Sequence, residues 1–311
     1  MIINMKDLLY QWFMRRLYLR DTSLYFPVFS DAPKYLNFAY PDFSVQYFVT
    51  TFRPGTVTMT GTIPKTGLEF FSISVYGTNG LPVYAKCDVD LCPDESFVYH
   101  ETLHFKTVSA LIVRFYRKNP KESFEKFLPI FSLKKTLVSN PMRISMSEKL
   151  ESCLLPRIVK QNKNILHVLG QRTEFFKPSN KMLKSLFPNP FAYYLIAIPK
   201  SPYGWIDIHV PVFSKEDYRF VGFMASNYST TETDDSIRLP TGNKKYRVWF
   251  GYGPRKRNMK YYLQWKKTNH FPILVYREVR LQKKGLANYK SQVDPKQLRK
   301  IMHYPEITYS N

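Results

Sequence analysis

Cysteine is almost absent from this chain of 311 residues: only Cys87, Cys92 and Cys153 are present. So small and odd a number excludes the disulfide framework that staples small secreted domains, and a reducing, intracellular setting is expected. No secretory leader is expected either. The apolar residues near the N-terminus are interrupted by Lys6, Arg15, Arg16 and Arg20, and no small-residue cleavage site follows. No apolar run reaches the length of a membrane span. Glycine is scarce, with 12 residues against 23 Tyr and 24 Phe. The chain is therefore globular, and its aromatic content favours half-buried pleated sheet over helix. Acids are scarce too, 24 against 46 Lys and Arg. Catalytic signatures are missing: no Gly-x-Ser-x-Gly elbow, and no phosphate loop with a Gly-Lys-Ser/Thr ending.

What is present is a repeat. Strand signals run from Phe43 to Phe52, through a Pro54-Gly55 turn, from Thr56 to Ile63 and from Leu68 to Tyr76, ending at a turn near Asn79-Gly80. The same order returns from Phe191 to Pro199, through Pro202-Tyr203-Gly204, from Trp205 to Val212 and from Tyr218 to Ser226, ending near Asn227. The offset stays between 148 and about 150 residues across three strands. Further strands are expected near Phe97–Lys106, Ala110–Tyr116 and Phe127–Leu133, after a Cys- and Asp-containing loop over 85–96. Ala110–Tyr116 has the continuous apolar character of a central strand, and Pro272–Leu281 takes its place in the second copy. Both follow a His-Phe pair, His104-Phe105 and His270-Phe271. The second copy carries extra residues around Gly251–Lys267.

The expected fold is mainly β: two tandem antiparallel β-sandwiches, jelly-roll-like, with a partly helical connector and short terminal helices. An immunoglobulin-type sandwich lacks its Cys…Trp…Cys pattern here. The expected divisions are an amphipathic arm over 1–22, a first sandwich over 23–138, a connector over 139–187, a second sandwich over 188–284 and a basic tail over 285–311. Within these, residues 5–20 have helical apolar spacing at Leu8, Leu9, Trp12, Phe13 and Leu17. A helix start is read at Ser147, an exposed bend at Gln161–Asn164 and a return strand at Ile165–Leu169. A last helix is expected from Asp294-Pro295 to Met302.

The charge is unevenly placed. Between Asn243 and His303, 17 Lys and Arg stand against two acids, Glu278 and Asp294, which gives that segment +15 of the chain's +22. A basic face attracts nucleic acid, anionic lipid or an acidic protein. Arg255, Lys256, Arg257, Lys260, Lys266 and Lys267 interleave with Tyr252, Tyr261, Tyr262 and Trp265. Cations can grip phosphates while aromatic faces stack on bases, so Arg255, Lys256, Arg257, Lys260, Lys266, Lys267, Tyr262 and Trp265 are the candidate polyanion contacts. Core aromatics beneath a solvated charged face would leave the same pattern.

Cys87, Cys92, His100 and His104 are the candidate metal ligands, two thiolates and two imidazoles of the kind that hold zinc. Their spacing departs from finger-type sites, and loop cysteines with surface histidines would look alike. Asp88, Asp90, Asp94 and Glu95 lie in the same stretch without the EF-hand spacing. Asp207 and His209 are two apart on one strand face, as an acid/base pair would be, though no nucleophile signature accompanies them. No cofactor is expected.

Phe70–Gly80 and Ser109–Arg117 resemble strand patterns of a family found in bacteria and in large DNA viruses of algae and amoebae. That family is labelled as domains of unknown function with jelly-roll-like sandwiches. The resemblance implies tandem β-sandwiches with no agreed activity, and its viral members imply a virion or minor capsid component. The expectation is a non-enzymatic structural or assembly protein that contacts other subunits of an assembly. A nucleic-acid-binding protein acting through 243–303 is the alternative, and an enzyme with a metal or inter-domain site is a third. Membrane contact through the N-terminal arm is a lesser expectation.

Overall fold

A computed structural model describes residues 26–28, 42–43, 45–52, 55–63, 67–76, 82–91, 98–105, 109–118, 131–136, 173–178, 189–210, 218–227, 232–240, 242–280 and 305–310. Among these the molecule is mainly strand with almost no helix, arranged in several sheets. It divides into two compact units, Met1–Asn37 with Val45–Pro156, and Phe38–Ser44 with Arg157–Asn311.

The first unit contains β1 (Phe26–Val28), β2 (Val45–Phe52), β3 (Gly55–Thr62), β4 (Leu68–Tyr76), β5 (Pro82–Cys87), the one-turn helix α1 (Asp88–Leu91), β6 (Val98–Phe105), β7 (Ser109–Arg117) and β8 (Phe131–Thr136). Five strands form one sheet in the order β1-β2-β7-β4-β5, and three form another in the order β6-β3-β8. Met59, Phe71, Ile73, Val75, Tyr99, Leu103, Leu111, Val113 and Phe115 form one core fed by both sheets. The period of two explains the selection: odd-numbered residues of β4 and β7 face this core. Phe71 is its centre, with its ring 4.8 Å from Phe115 and 5.7 Å from Tyr99.

The second unit contains β9 (Ala192–Ala197), β10 (Gly204–Val210), β11 (Tyr218–Asn227), β12 (Thr233–Leu239), β13 (Lys244–Tyr252), β14 (Tyr261–Trp265), β15 (Pro272–Arg280) and β16 (Glu306–Tyr309). Its sheets run β12-β11-β15-β9 and β14-β13-β10-β16. Tyr193, Leu195, Ile206, Ile208, Phe223, Val248, Phe250, Leu263, Trp265, Leu274 and Tyr276 share its core.

The two units have one strand order. Reading β2-β7-β4-β5 against β9-β15-β11-β12, and β6-β3-β8 against β13-β10-β16, every neighbour in one unit has its counterpart in the other, and every such pair is antiparallel. Irregularities repeat as well. A bulge falls between Leu68 and Phe70 where β4 meets β7, and between Tyr218 and Phe220 where β11 meets β15. A second falls between Val75 and Tyr76, and again between Ala225 and Ser226. Gly55 pairs with Phe105 as Gly204 pairs with Phe250. Bulges mark register residue by residue, so their recurrence is stricter than a shared count of strands.

The buried arginines repeat too. Arg114 on β7 and Arg277 on β15 occupy equivalent positions, and both point away from their unit's core yet are buried. Arg114 donates to Ser74 Oγ (3.3 Å) and Tyr76 Oη (2.8 Å), with its guanidinium over the Tyr76 ring. Arg277 instead pairs with Asp42 at 2.8 Å, both side chains 3% exposed. A desolvated charge needs such partners.

Several local expectations change. The stretch read as a loop over 85–96 contains the end of β5 and α1. β8 is described over Phe131–Thr136, overlapping the strand expected near Phe127–Leu133, whose first residues lie outside the described ones. The two His-Phe pairs are not equivalent: His104-Phe105 closes β6, whereas His270-Phe271 lies in the turn before β15. The extra residues of the second copy contain a strand, β14, which runs parallel to β13 with no counterpart among the described residues of the first unit. β12 and β16 are strands that no sequence pattern had announced. The N-terminal arm, the helix at Ser147, the bend, the strand at Ile165–Leu169 and the helix at Asp294 lie outside the described residues.

Candidate binding face of the second unit

β10 and β13 alternate strictly. Ile206, Ile208, Val248 and Phe250 turn into the core, which leaves Trp205, Asp207 and His209 on the opposite side of β10, and Lys245, Arg247 and Trp249 on that side of β13. Register then aligns them: Trp205 opposes Trp249, Asp207 opposes Arg247 and His209 opposes Lys245. On β14, Leu263 and Trp265 are core residues, so Tyr262 faces outward beside Trp249, its partner in the parallel ladder. Three aromatic residues thus stand in a row across three neighbouring strands, with the Trp205 and Trp249 rings 5.0 Å apart.

The row is held by polar contacts. Arg247 Nε and Nη2 donate to the two oxygens of Asp207 at 2.7 and 2.9 Å. Trp205 Nε1 donates to Asp207 Oδ2 at 3.1 Å. This fork lays the guanidinium over both indoles, 5.1 Å from the Trp205 ring and 6.0 Å from that of Trp249. The carboxylate beside it holds the Arg247 pKa above its ordinary value.

Tyr203 extends the aromatic surface by one step. Its ring rests on Gly251: a Cβ there would come within 2.7 Å of Tyr203 Cδ1 and 3.1 Å of Tyr262 Oη. Glycine at 251 therefore lets Tyr203 and Tyr262 close directly over the strand, where a side chain would not fit. Trp265, buried at 1% exposure, donates from Nε1 to the Pro202 carbonyl (3.0 Å) and so fixes the turn that carries Tyr203. Tyr262 Oη donates to the Gly253 carbonyl (3.1 Å), tying the row to the return loop between β13 and β14. That loop needs Gly253 at a φ of +90°, a conformation costly for other residues.

The predicted contact residues fall into two groups. Arg255, Lys256 and Arg257 are exposed on the return loop, Lys260 is exposed beside the Tyr261 ring, and Lys266 and Lys267 are exposed just past β14. Tyr262 is on the outer face. Trp265 is the exception, since alternation on β14 sends it into the core. Sequence reasoning missed Trp205, Arg247, Trp249 and Tyr203; alternation in Lys245-Tyr246-Arg247-Val248-Trp249-Phe250 was the available signal. From Lys244 to Lys267 nine Lys and Arg occur with no acid among them, and all nine are exposed.

β14 is pinned by two aspartates on β12. Asp235 Oδ2 accepts the Gln264 amide (2.9 Å), and Asp234 Oδ2 accepts the Lys266 amide (3.2 Å) and Asn269 Nδ2 (2.6 Å). Burial raises both carboxyl pKa values, while these hydrogen bonds oppose the rise.

The three described metal candidates, Cys87, His100 and His104, are not gathered by the fold. Cys87 is buried beside Ser72 on the side of its sheet turned from the core, and its thiol donates to Asp90 Oδ2 (3.3 Å). Burial and the charges of Asp90 and Asp88 push that thiol pKa strongly up, the reverse of what a thiolate ligand requires. His100 and His104 are exposed on β6, on the outer side of the other sheet, where His104 Nδ1 meets Thr56 Oγ1 at 2.9 Å. Cys92 lies outside the described residues, among which no group of three or more His, Cys, Asp and Glu side chains could hold a metal. Asp207 and His209 do share a face, but both Asp207 oxygens are taken by Arg247 and His209 Nε2 meets Asn243 Oδ1 at 2.8 Å.

Among the described residues no helix is long and apolar enough to cross a membrane. No protein-family profile matches the chain, and neither does any curated protein sequence. Solved structures do. An uncharacterised protein from Burkholderia cenocepacia is similar at a TM-score of 0.63 and 12% identity, over 98% of this chain and 88% of that one. The VPA0106 protein from Vibrio parahaemolyticus is similar at 0.52 and 8% identity, over 98% and 96%. Likeness at such identity concerns the fold alone.

Proposed function

We propose that this chain is a non-enzymatic assembly protein made of two jelly-roll-like sandwiches descended from one duplicated module. In this reading the second sandwich holds a polyanionic neighbour against the outer face of its β10-β13-β14 sheet. The shared strand order and the repeated bulges support the duplication. The observation that carries the function is the run of nine exposed cations from Lys244 to Lys267, uninterrupted by any acid, on β13, on the return loop and just past β14. Like charges gathered at this density repel one another, and a polyanion relieves that repulsion while releasing its own counterions.

The first unit makes a natural comparison. Positions equivalent to Trp205, Asp207, Lys245, Arg247 and Trp249 are Thr56, Thr58, His100, Thr102 and His104. There the face carries threonines and histidines, Thr56 meeting His104 at 2.9 Å and Thr58 meeting Thr102 at 3.4 Å. At these five positions the Lys, Arg and Trp residues belong to the second copy. A virion or minor capsid component is the setting that the strand-pattern resemblance implies, with co-sedimentation in a particle as its sign.

The test is retention on immobilised heparin. The intact chain should elute at high salt, and an Arg255→Ser, Lys256→Ser, Arg257→Ser variant should elute clearly earlier. Equal elution of the two would remove the loop from the contact.

A further inference from the structure

We infer that the polyanion held by this face is single-stranded nucleic acid, with bases stacked on the Trp205–Trp249–Tyr262 row and phosphates on the return loop. The inference rests on the reading of the face as a polyanion site and adds what that reading leaves open. Charge alone does not select among polyanions. Lipid headgroups, sulfated sugars and duplex DNA offer charge, yet a bilayer surface has no flat rings, and a duplex keeps its bases stacked inside.

The face has what an unpaired strand needs. Trp205, Trp249 and Tyr262 are half-buried, so each is fixed by its neighbours while part of its surface stays in water. They lie on rigid strands, not on loops, and their order across the sheet is set by register. Arg247, over the two indoles, supplies a planar cation on which a further base can stack. Cations of the return loop begin where the row ends, because Tyr262 is bonded to Gly253 at the loop's start. Aromatic faces stack on any base, so the expected preference is for single strands over duplex and not for a sequence.

The twin unit supplies substitutions that this fold already tolerates. Trp205→Thr and Trp249→His install the residues found at equivalent positions in the first unit, Thr56 and His104. Binding of the full chain to a fluorescent oligo-dT strand would be measured across a salt series. A matched duplex, heparin and vesicles containing phosphatidylserine would be run in parallel. The strand should bind more tightly than the duplex, with quenching of tryptophan fluorescence. Each Trp substitution should weaken strand binding roughly tenfold to a hundredfold and leave the salt slope unchanged. The Arg255→Ser, Lys256→Ser, Arg257→Ser variant should instead flatten that slope, by about 0.7 for each phosphate that is no longer neutralised. Unfolding curves of all variants check that the fold is intact, and a variant that fails to fold is replaced by Tyr262→Thr.

Strand and duplex bound alike, with undiminished binding in the Trp variants, would overturn the inference and leave the polyanion reading standing. Preference for heparin or for the vesicles would do the same. No binding to any of the four probes at low salt would overturn both.

Discussion

Asp42 and Asp235 show how single residues hold the second unit. Asp42 precedes every strand of the first unit except β1, yet it is counted with the second, where it meets Arg277 at 2.8 Å and Ser236 Oγ at 3.4 Å. Removing one member of a buried pair takes from the other charge the partner of opposite sign that offsets its burial. Asp42→Ala is therefore expected to cost about 3–5 kcal/mol of unfolding free energy, measured by denaturant titration; a loss under about 1 kcal/mol would mean that the pair is not buried as described. Asp235 behaves oppositely. Its folded pKa is raised by burial, so the folded state holds the proton more tightly than the unfolded chain. Its contribution is most favourable below the ordinary carboxyl pKa of about 4 and is lost as pH rises through the raised folded value. Asp235→Asn, which keeps an acceptor for the Gln264 amide, should flatten the fall in stability above that pH. If the variant's curve kept the native slope, the raised pKa would belong to another group. The Asp42–Arg277 pair was not legible in the sequence, because its members are far apart along the chain.

At the level of elements, strand existence was legible where both alternation and turn chemistry spoke. β4 and β15 carry long apolar runs, and Leu68–Tyr76 was delimited from sequence alone. β14 was not legible as a strand. Tyr261-Tyr262-Leu263-Gln264-Trp265 reads equally as an aromatic loop rich in neighbouring charge, and only its parallel pairing to β13 decides which rings turn inward. That decision moves Trp265 to the core and leaves Tyr262 outside. Gly204 illustrates the converse, a turn residue whose sequence signal was clear but whose reason is packing. A Cβ there would sit 2.4 Å from the Thr308 carbonyl oxygen and 2.8 Å from Phe250 Cζ. Gly204→Ala must push β16 away from β10, and a loss of about 1–3 kcal/mol is expected in thermal or denaturant unfolding. Unchanged stability would show that β16 does not need so close an approach.

For the whole molecule, the repeat was readable because aromatic and β-branched runs recur at a nearly constant offset, and the structure adds the strand order and bulges that only pairing reveals. The candidate site was half readable. Its cations stand close together in sequence, whereas the Trp205–Trp249–Tyr262 row exists only through register between strands that are distant along the chain. On this account a common framework carries two different outer faces, and the second is the one that meets the polyanion. Ultraviolet cross-linking of the intact chain to an oligo-dT strand, followed by mass spectrometry of the linked peptides, tests this most directly. Links are predicted at Trp205, Trp249 and Tyr262; links confined to the first unit, at the face of Thr56 and His104, would contradict it.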